Sequence, residues 1–186
     1  MALLLAGIAL FCGVHLFPAL APASRDRLAA SLGENPYKGI YSLLIVGGLL
    51  LIVFGWKTAT PRPVYVPPLM PGLLPSALVF VGLVLFFAAR MRGYIKRVLR
   101  HPQMTGTIFW ATSHLLTNGD SRSVTLFGGL LIWALLEIVL CNRRDGPRTE
   151  LPAAAAKFDL LALVVGGVAF AVIGHFHLWL FGVSPL

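Results

Sequence analysis

The amino-acid sequence predicts an all-α integral membrane protein, a bundle of about six transmembrane helices. Three observations carry that expectation. The 186 residues are 58% hydrophobic and only 12% charged, with a mean hydropathy of +0.84. Several stretches approach the ~20 apolar residues that a helix needs to cross the hydrocarbon core of a bilayer. The 15 lysines and arginines gather in the connections between those stretches. In a soluble chain a net charge of +8 would suggest nucleic acid. In a chain this apolar it reads as loop anchoring at an anionic membrane face, so the partner is the lipid bilayer and not nucleic acid.

The first span covers about residues 2–22 and contains Cys12 and His15. No basic residue precedes it, and Ala19-Leu20-Ala21 runs straight into Pro22, so a retained span is expected rather than a cleaved leader. A polar loop with Arg25, Arg27 and Lys38 leads to span 2, residues 40–56, where Tyr41 and Trp56 suit aromatic belts. Six prolines between Lys57 and Pro75 make the next connection stiff and extended. Span 3, residues 76–89, is short. The basic cluster Arg90, Arg92, Lys96, Arg97 and Arg100 follows. Span 4 opens on Pro102, at home in the first position of a helix, and stops at Asn118-Gly119. Span 5, residues 124–140, is entered through Asp120-Ser121-Arg122-Ser123, where Asp or Ser can cap it. Span 6 covers residues 160–181.

The glycine pairs 47–48, 128–129 and 166–167 are expected to let helices approach closely. With no loop longer than about 20 residues, no soluble domain remains, and residues 1–186 read as one transmembrane domain. Six spans place twelve of the fifteen basic residues on one side. The positive-inside rule makes that side cytoplasmic and puts both termini outside.

Chemistry concentrates between residues 100 and 120. His101 ends the basic cluster, and His114 lies inside the apolar segment, about 20 Å further along the axis at 1.5 Å per residue. Ionisable side chains in a membrane helix are costly and mark functional sites. Histidine is also the commonest side-chain ligand for transition metals and haem iron. The others are His15, His175 and His177. A bridging or headgroup role suits His101, His175 and His177, and a functional role suits His114 and His15. Two imidazoles on one iron must lie about 4 Å apart. By depth alone, His114 pairs most easily with His175 or His177. Pairing it with His15 needs a shift of roughly 9 Å, which helix tilt can absorb. Glu137, deep in span 5, is expected to orient one of these histidines. Cys12 shares a helix face with His15, but no zinc or disulfide pattern includes it or Cys141.

These residues carry a family resemblance. Arg100-His101-Pro102, Gly106, Trp110, Ser113-His114-Leu115-Leu116 and Asn118-Gly119-Asp120 resemble the NnrU family of bacterial membrane proteins. So do His15 with Pro18, Arg27, Gly33, Tyr41, Phe127-Gly128-Gly129, Trp133, and the closing His177, Gly182, Ser184 and Pro185. The resemblance implies a bacterial inner-membrane protein associated with denitrification and with nitrite and nitric oxide reductase activity. The family is similar to 15-cis-zeta-carotene isomerase, a membrane enzyme that uses haem b. Carried over by motif, that enzyme's haem ligands fall on His15 and His114, with Arg100 and His101 as further cofactor-binding candidates. Such a haem implies an apolar substrate or a small gaseous ligand, in an isomerase-like or NO-responsive redox protein. The alternative is a non-enzymatic assembly factor for a membrane reductase. A more distant resemblance, to isoprenylcysteine carboxyl methyltransferases, rests on the Arg-His-Pro turn and implies S-adenosylmethionine. Cys141-Asn142-Arg143-Arg144 stands where those enzymes carry paired glutamates, which puts methyl transfer in doubt.

Overall fold

Proline and glycine set most of the helix limits. In the computed structural model, which describes residues 1–183, α1 (Ala2–Leu20) stops before Pro22, and Pro22 opens a short α2 (Pro22–Leu32). Gly33, at φ +87°, makes the bend into α3 (Glu34–Thr58), a backbone conformation that favours glycine. The proline-rich connection is non-helical from Ala59 to Gly72. Then come α4 (Leu73–Ala88), α5 (Tyr94–Val98) within the basic cluster, and α6 (Pro102–Thr117). In α7 (Ser121–Asp145) the Asp120 carboxylate accepts from the backbone N–H groups of Arg122 and Ser123, the cap the sequence anticipates. The last helix is α8 (Ala156–Phe181). Ser184 and Pro185 of the family pattern lie outside the described residues.

Two expectations change. The polar loop after span 1 is largely helix, because Pro22 starts α2 and Arg, Leu and Ala sustain it. Of the six expected spans, α1, α3, α7 and α8 are long and apolar enough to cross a bilayer, at 19, 25, 25 and 26 residues. Both α4 and α6 have 16 residues. That is about 24 Å of helix against a core of about 30 Å. The surface matches a membrane solvent: Leu43, Leu73 and Trp179 are 71%, 88% and 82% exposed.

The chain forms two compact units. Unit 1 comprises residues 1–65 and 120–146, and α1 packs there against α3 and α7. Small residues let backbones meet, as membrane helices without a hydrophobic driving force require. A Cβ on Gly7 would lie 2.6 Å from the Ile52 nitrogen, and one on Gly55 would strike the Leu4 backbone. The first part of the proline-rich connection is held to the start of α7: Ser121 N–H donates to the Arg62 carbonyl (2.8 Å), and the Arg122 guanidinium lies 4.4 Å over the Trp56 ring. Trp56, expected from sequence at an aromatic belt, is thus a cation–π partner.

Unit 2 comprises residues 66–119 and 147 onward, and α4 packs there against α6 and α8. Gly82 of α4 meets Gly106 of α6 backbone to backbone, and Gly166 of α8 lies on Val84. Ser113 donates to the Pro75 carbonyl (2.8 Å), one residue before His114. The basic cluster is organised by Asp159, whose carboxylate accepts from the N–H groups of Tyr94 (2.7 Å) and Ile95 (3.0 Å) and so caps α5. Arg148 adds a bond to the Arg97 carbonyl at 2.8 Å. Replacing Asp159 by Ala is expected to cost about 1–3 kcal/mol. Hydrogen exchange should quicken first at residues 94–98, and Asp159→Asn, which keeps one acceptor oxygen, should lose less.

Candidate functional site

The two histidines singled out by sequence are built alike. Each lies one turn after an aromatic residue, so its ring turns back along its own helix. His15 on α1 holds its Nδ1 2.8 Å from the Phe11 carbonyl, with ring centroids 4.3 Å apart. His114 on α6 holds its Nδ1 2.8 Å from the Trp110 carbonyl, with centroids 5.0 Å apart. A carbonyl only accepts, so Nδ1 carries the proton in both rings, and in the neutral imidazole Nε2 carries the lone pair. A histidine ligand to a metal is usually prepared in this way, its other nitrogen fixed by a carbonyl.

His15 sits in unit 1, half-buried among residues of three helices. Its ring lies 5.1 Å from Trp133 on α7 and 6.1 Å from Tyr41 on α3. Glu137, one turn beyond Trp133, is within electrostatic range of His15, Cys12 and Tyr41. It makes no hydrogen bond to His15. Its Oε1 accepts a weak bond from the Cys141 thiol at 3.6 Å. Its Oε2 and the Trp133 Nε1–H are both buried, close enough to interact yet without a bond of good geometry. Polar groups left unsatisfied in a membrane interior are expensive and rarely retained without a use. Glu137 is therefore near His15 but makes no bond by which a carboxylate would orient that ring. Cys12 and Cys141 are free thiols.

His114 sits in unit 2, in the last turn of α6. The α6 carbonyl at His114 accepts from both the backbone N–H and the side-chain amide of Asn118, at 2.8 and 2.9 Å. Asn118 thereby closes the helix where the sequence placed its end. His177 on α8 lies within electrostatic range of His114 and directs its Nδ1–H to the Val183 carbonyl at 2.8 Å. His175 is exposed and stacks edge-on against Phe176. His101 is the cap residue before Pro102, and its carbonyl accepts from the Thr105 backbone and hydroxyl, both at 3.0 Å. Arg100 is half-buried beside it. Unit 2 thus holds His114, His177, His175, Arg100 and His101, and unit 1 holds His15.

A family model described as NnrU protein matches residues 3–185, nearly the whole chain. The chain belongs to the NnrU family. Membership fits a membrane protein associated with denitrification. No curated protein and no solved structure matches the chain. Among the described residues no group of three or more His, Cys, Asp or Glu side chains is arranged to hold a metal ion. A haem supplies four of its own nitrogens and asks only one or two residues of the protein. The two NnrU-motif histidines, with their Nε2 lone pairs, suit that smaller demand.

Sequence reasoning missed two members of the His15 surroundings. Tyr41 reads from sequence as an aromatic-belt residue and as part of the family pattern, and Trp133 as part of that pattern alone. A polar-capable aromatic recurring on the same face as Glu137, four residues away, was the available signal for Trp133. Tyr41 had no spacing signal of that kind, because its place beside α1 depends on how α3 packs.

Proposed function

We propose that this NnrU-family chain is a haem b-binding protein of the bacterial inner membrane, with His15 and His114 as iron ligands and its basic loops on the cytoplasmic side. The observation that carries this reading is the shared build of the two rings: each donates Nδ1–H to the carbonyl one turn back and keeps its Nε2 lone pair. Bound there, haem b would supply one-electron chemistry and a position for a small ligand such as nitric oxide once an imidazole is displaced. The chain's part is to fix the rings, to exclude water with apolar helices, and to set a carboxyl group near His15. Arg100 and His101, at the water boundary before α6, are proposed to contact the cofactor's polar edge.

The test is the absorption spectrum of protein purified in detergent, oxidised and dithionite-reduced. A Soret band with sharp reduced α and β bands supports the reading. The haem-to-protein ratio then decides between one iron taking both rings and each ring taking its own. A colourless protein after haem supplementation removes the haem reading and leaves a non-enzymatic assembly factor for a membrane reductase. Tight S-adenosylmethionine binding would point instead to methyl transfer.

Glu137→Gln separates an electrostatic role from a packing one. It is nearly isosteric but removes the ionisable group, so haem content should hold while the midpoint potential and its pH dependence move. An unaltered potential would rule the role out.

A further inference from the structure

Away from the histidines, unit 1 contains a cavity of about 530 Å³ between the end of α1, α2, the start of α3 and the end of α7. That volume falls in the roughly 300–1,000 Å³ range of small-molecule sites. Its lining includes three cations from three helices, Arg25, Lys38 and Arg144, with Asp26 as the one carboxylate. Tyr37 and Ser42 add hydroxyls. Tyr37 is only 9% exposed, and its hydroxyl has no hydrogen-bond partner of good geometry. The Arg25 guanidinium lies 5.2 Å over the Tyr37 ring and close enough to act on its hydroxyl, and a buried hydroxyl without a well-formed bond carries a desolvation cost that a ligand oxygen would relieve.

We propose that this cavity binds a phosphate group, held by Arg25, Lys38 and Arg144 with the Tyr37 hydroxyl. Phosphate suits the set because its oxygens diverge tetrahedrally toward donors from several helices, and the guanidinium forks can engage two of them at once. The cations are at present loosely committed. Arg25 pairs with Asp26 at 3.1 Å and Glu34 at 3.3 Å, Lys38 with Glu34 at 3.4 Å, and Arg144 with its neighbour Asp145 at 2.7 Å. All four acceptor–donor pairs have substantially exposed side chains, and exposed pairs of this kind hold weakly and exchange readily. The positive-inside rule puts this end of unit 1 at the cytoplasmic face. There the phosphate can come from an anionic lipid headgroup or from solution.

The test uses the full-length protein in neutral detergent, with retained ligand read by native mass spectrometry. The probes are phosphatidylglycerol, zwitterionic phosphatidylcholine for comparison, and inorganic phosphate as a soluble competitor. Wild type should prefer phosphatidylglycerol or bind inorganic phosphate. Arg144→Gln and Lys38→Gln should each weaken that binding roughly tenfold. Arg143→Gln removes the same charge from the same helix end but does not line the cavity, and should change binding less than about twofold. Tyr37→Phe should weaken binding while leaving the ligand-free unfolding midpoint level or higher, a split that lost packing would not give. Displacement of the lipid by millimolar phosphate assigns the site to free phosphate; retention against it assigns the site to the headgroup. Equal losses in Arg143→Gln and Arg144→Gln, or neither probe binding the wild type in preference to phosphatidylcholine, would overturn the proposal. If Arg144→Gln lowers the ligand-free midpoint, the exposed Lys38→Gln carries the comparison.

Discussion

His15→Ala and His114→Ala are each expected to abolish the sharp reduced α and β bands of the purified protein. Both substitutions remove an Nε2 donor whose Nδ1–H is satisfied by a carbonyl of its own helix, a carbonyl that keeps its place in the helix when the ring is lost. Disturbing a group that merely supports a ligand costs about 10–100-fold in affinity, and losing a ligand itself should exceed that. Methionine gives the sharper comparison. His15→Met offers a thioether in place of the imidazole, so haem should stay bound with a raised midpoint potential. His175→Ala, at an exposed position, should leave the spectrum alone. The decisive comparison is His177→Ala, because His177 shares unit 2 with His114 and lies within its electrostatic range. If His177→Ala strips the bands while His15→Ala preserves them, the ligands lie within unit 2, as helix depth suggested, and the motif transfer to His15 fails.

Gly55→Leu should be the most destabilising substitution outside the histidines. A Cβ at Gly55 falls on the backbone of Leu4, which cannot rotate aside as a side chain would. Overpacking of this kind costs about 1–3 kcal/mol even where neighbours can adjust, and a backbone neighbour puts Gly55 at or above the top of that range. Gly47→Leu is the matched control. Gly47 is on the same helix, and a Cβ there meets nothing within 4 Å. Thermal unfolding in detergent should show a large fall in midpoint for Gly55→Leu and little change for Gly47→Leu. Equal midpoints would show that α1 and α3 do not pack through these glycines.

Much of the secondary structure was legible because its causes are local. Helix limits depend on which backbone groups lack partners, and Pro102, Asn118 and Asp120 announce that residue by residue. Those limits agree with the sequence reading: α6 starts at Pro102 and ends before Asn118, and Asp120 caps α7. The local signal failed where composition alone was used. The Arg25–Leu32 stretch is polar but consists of good helix formers, so polarity suggested a loop where propensity and Pro22 gave α2. The lengths of α4 and α6 were close to the sequence reading, which already gave span 3 as short; what changes is the span count, because 16 residues fall below the ~20 that a crossing needs.

The site was legible at its anchors and not in its surroundings. His15 and His114 stood out because an imidazole in an apolar helix is anomalous whatever packs against it. The same holds for Glu137, though only the structure brings it near His15, Cys12 and Tyr41. The glycine pairs make the distinction plain. Sequence marked 47–48 and 166–167 as contacts, and in each pair one member makes the closer approach: Gly48 against Phe11, and Gly166 against Val84. Adjacent helical residues point about 100° apart, and only the position of the partner helix selects between them.

By itself, then, the sequence determined an apolar helical membrane protein, its family, most helix ends and the two candidate ligands. Only the tertiary structure decided that α1, α3 and α7 form one unit and α4, α6 and α8 another, and that Arg25, Lys38 and Arg144 line a single cavity. The physical reason is range. A helix is fixed by hydrogen bonds four residues apart and by its solvent, whereas the choice of partner helix depends on side chains far apart in the chain, which no local pattern records.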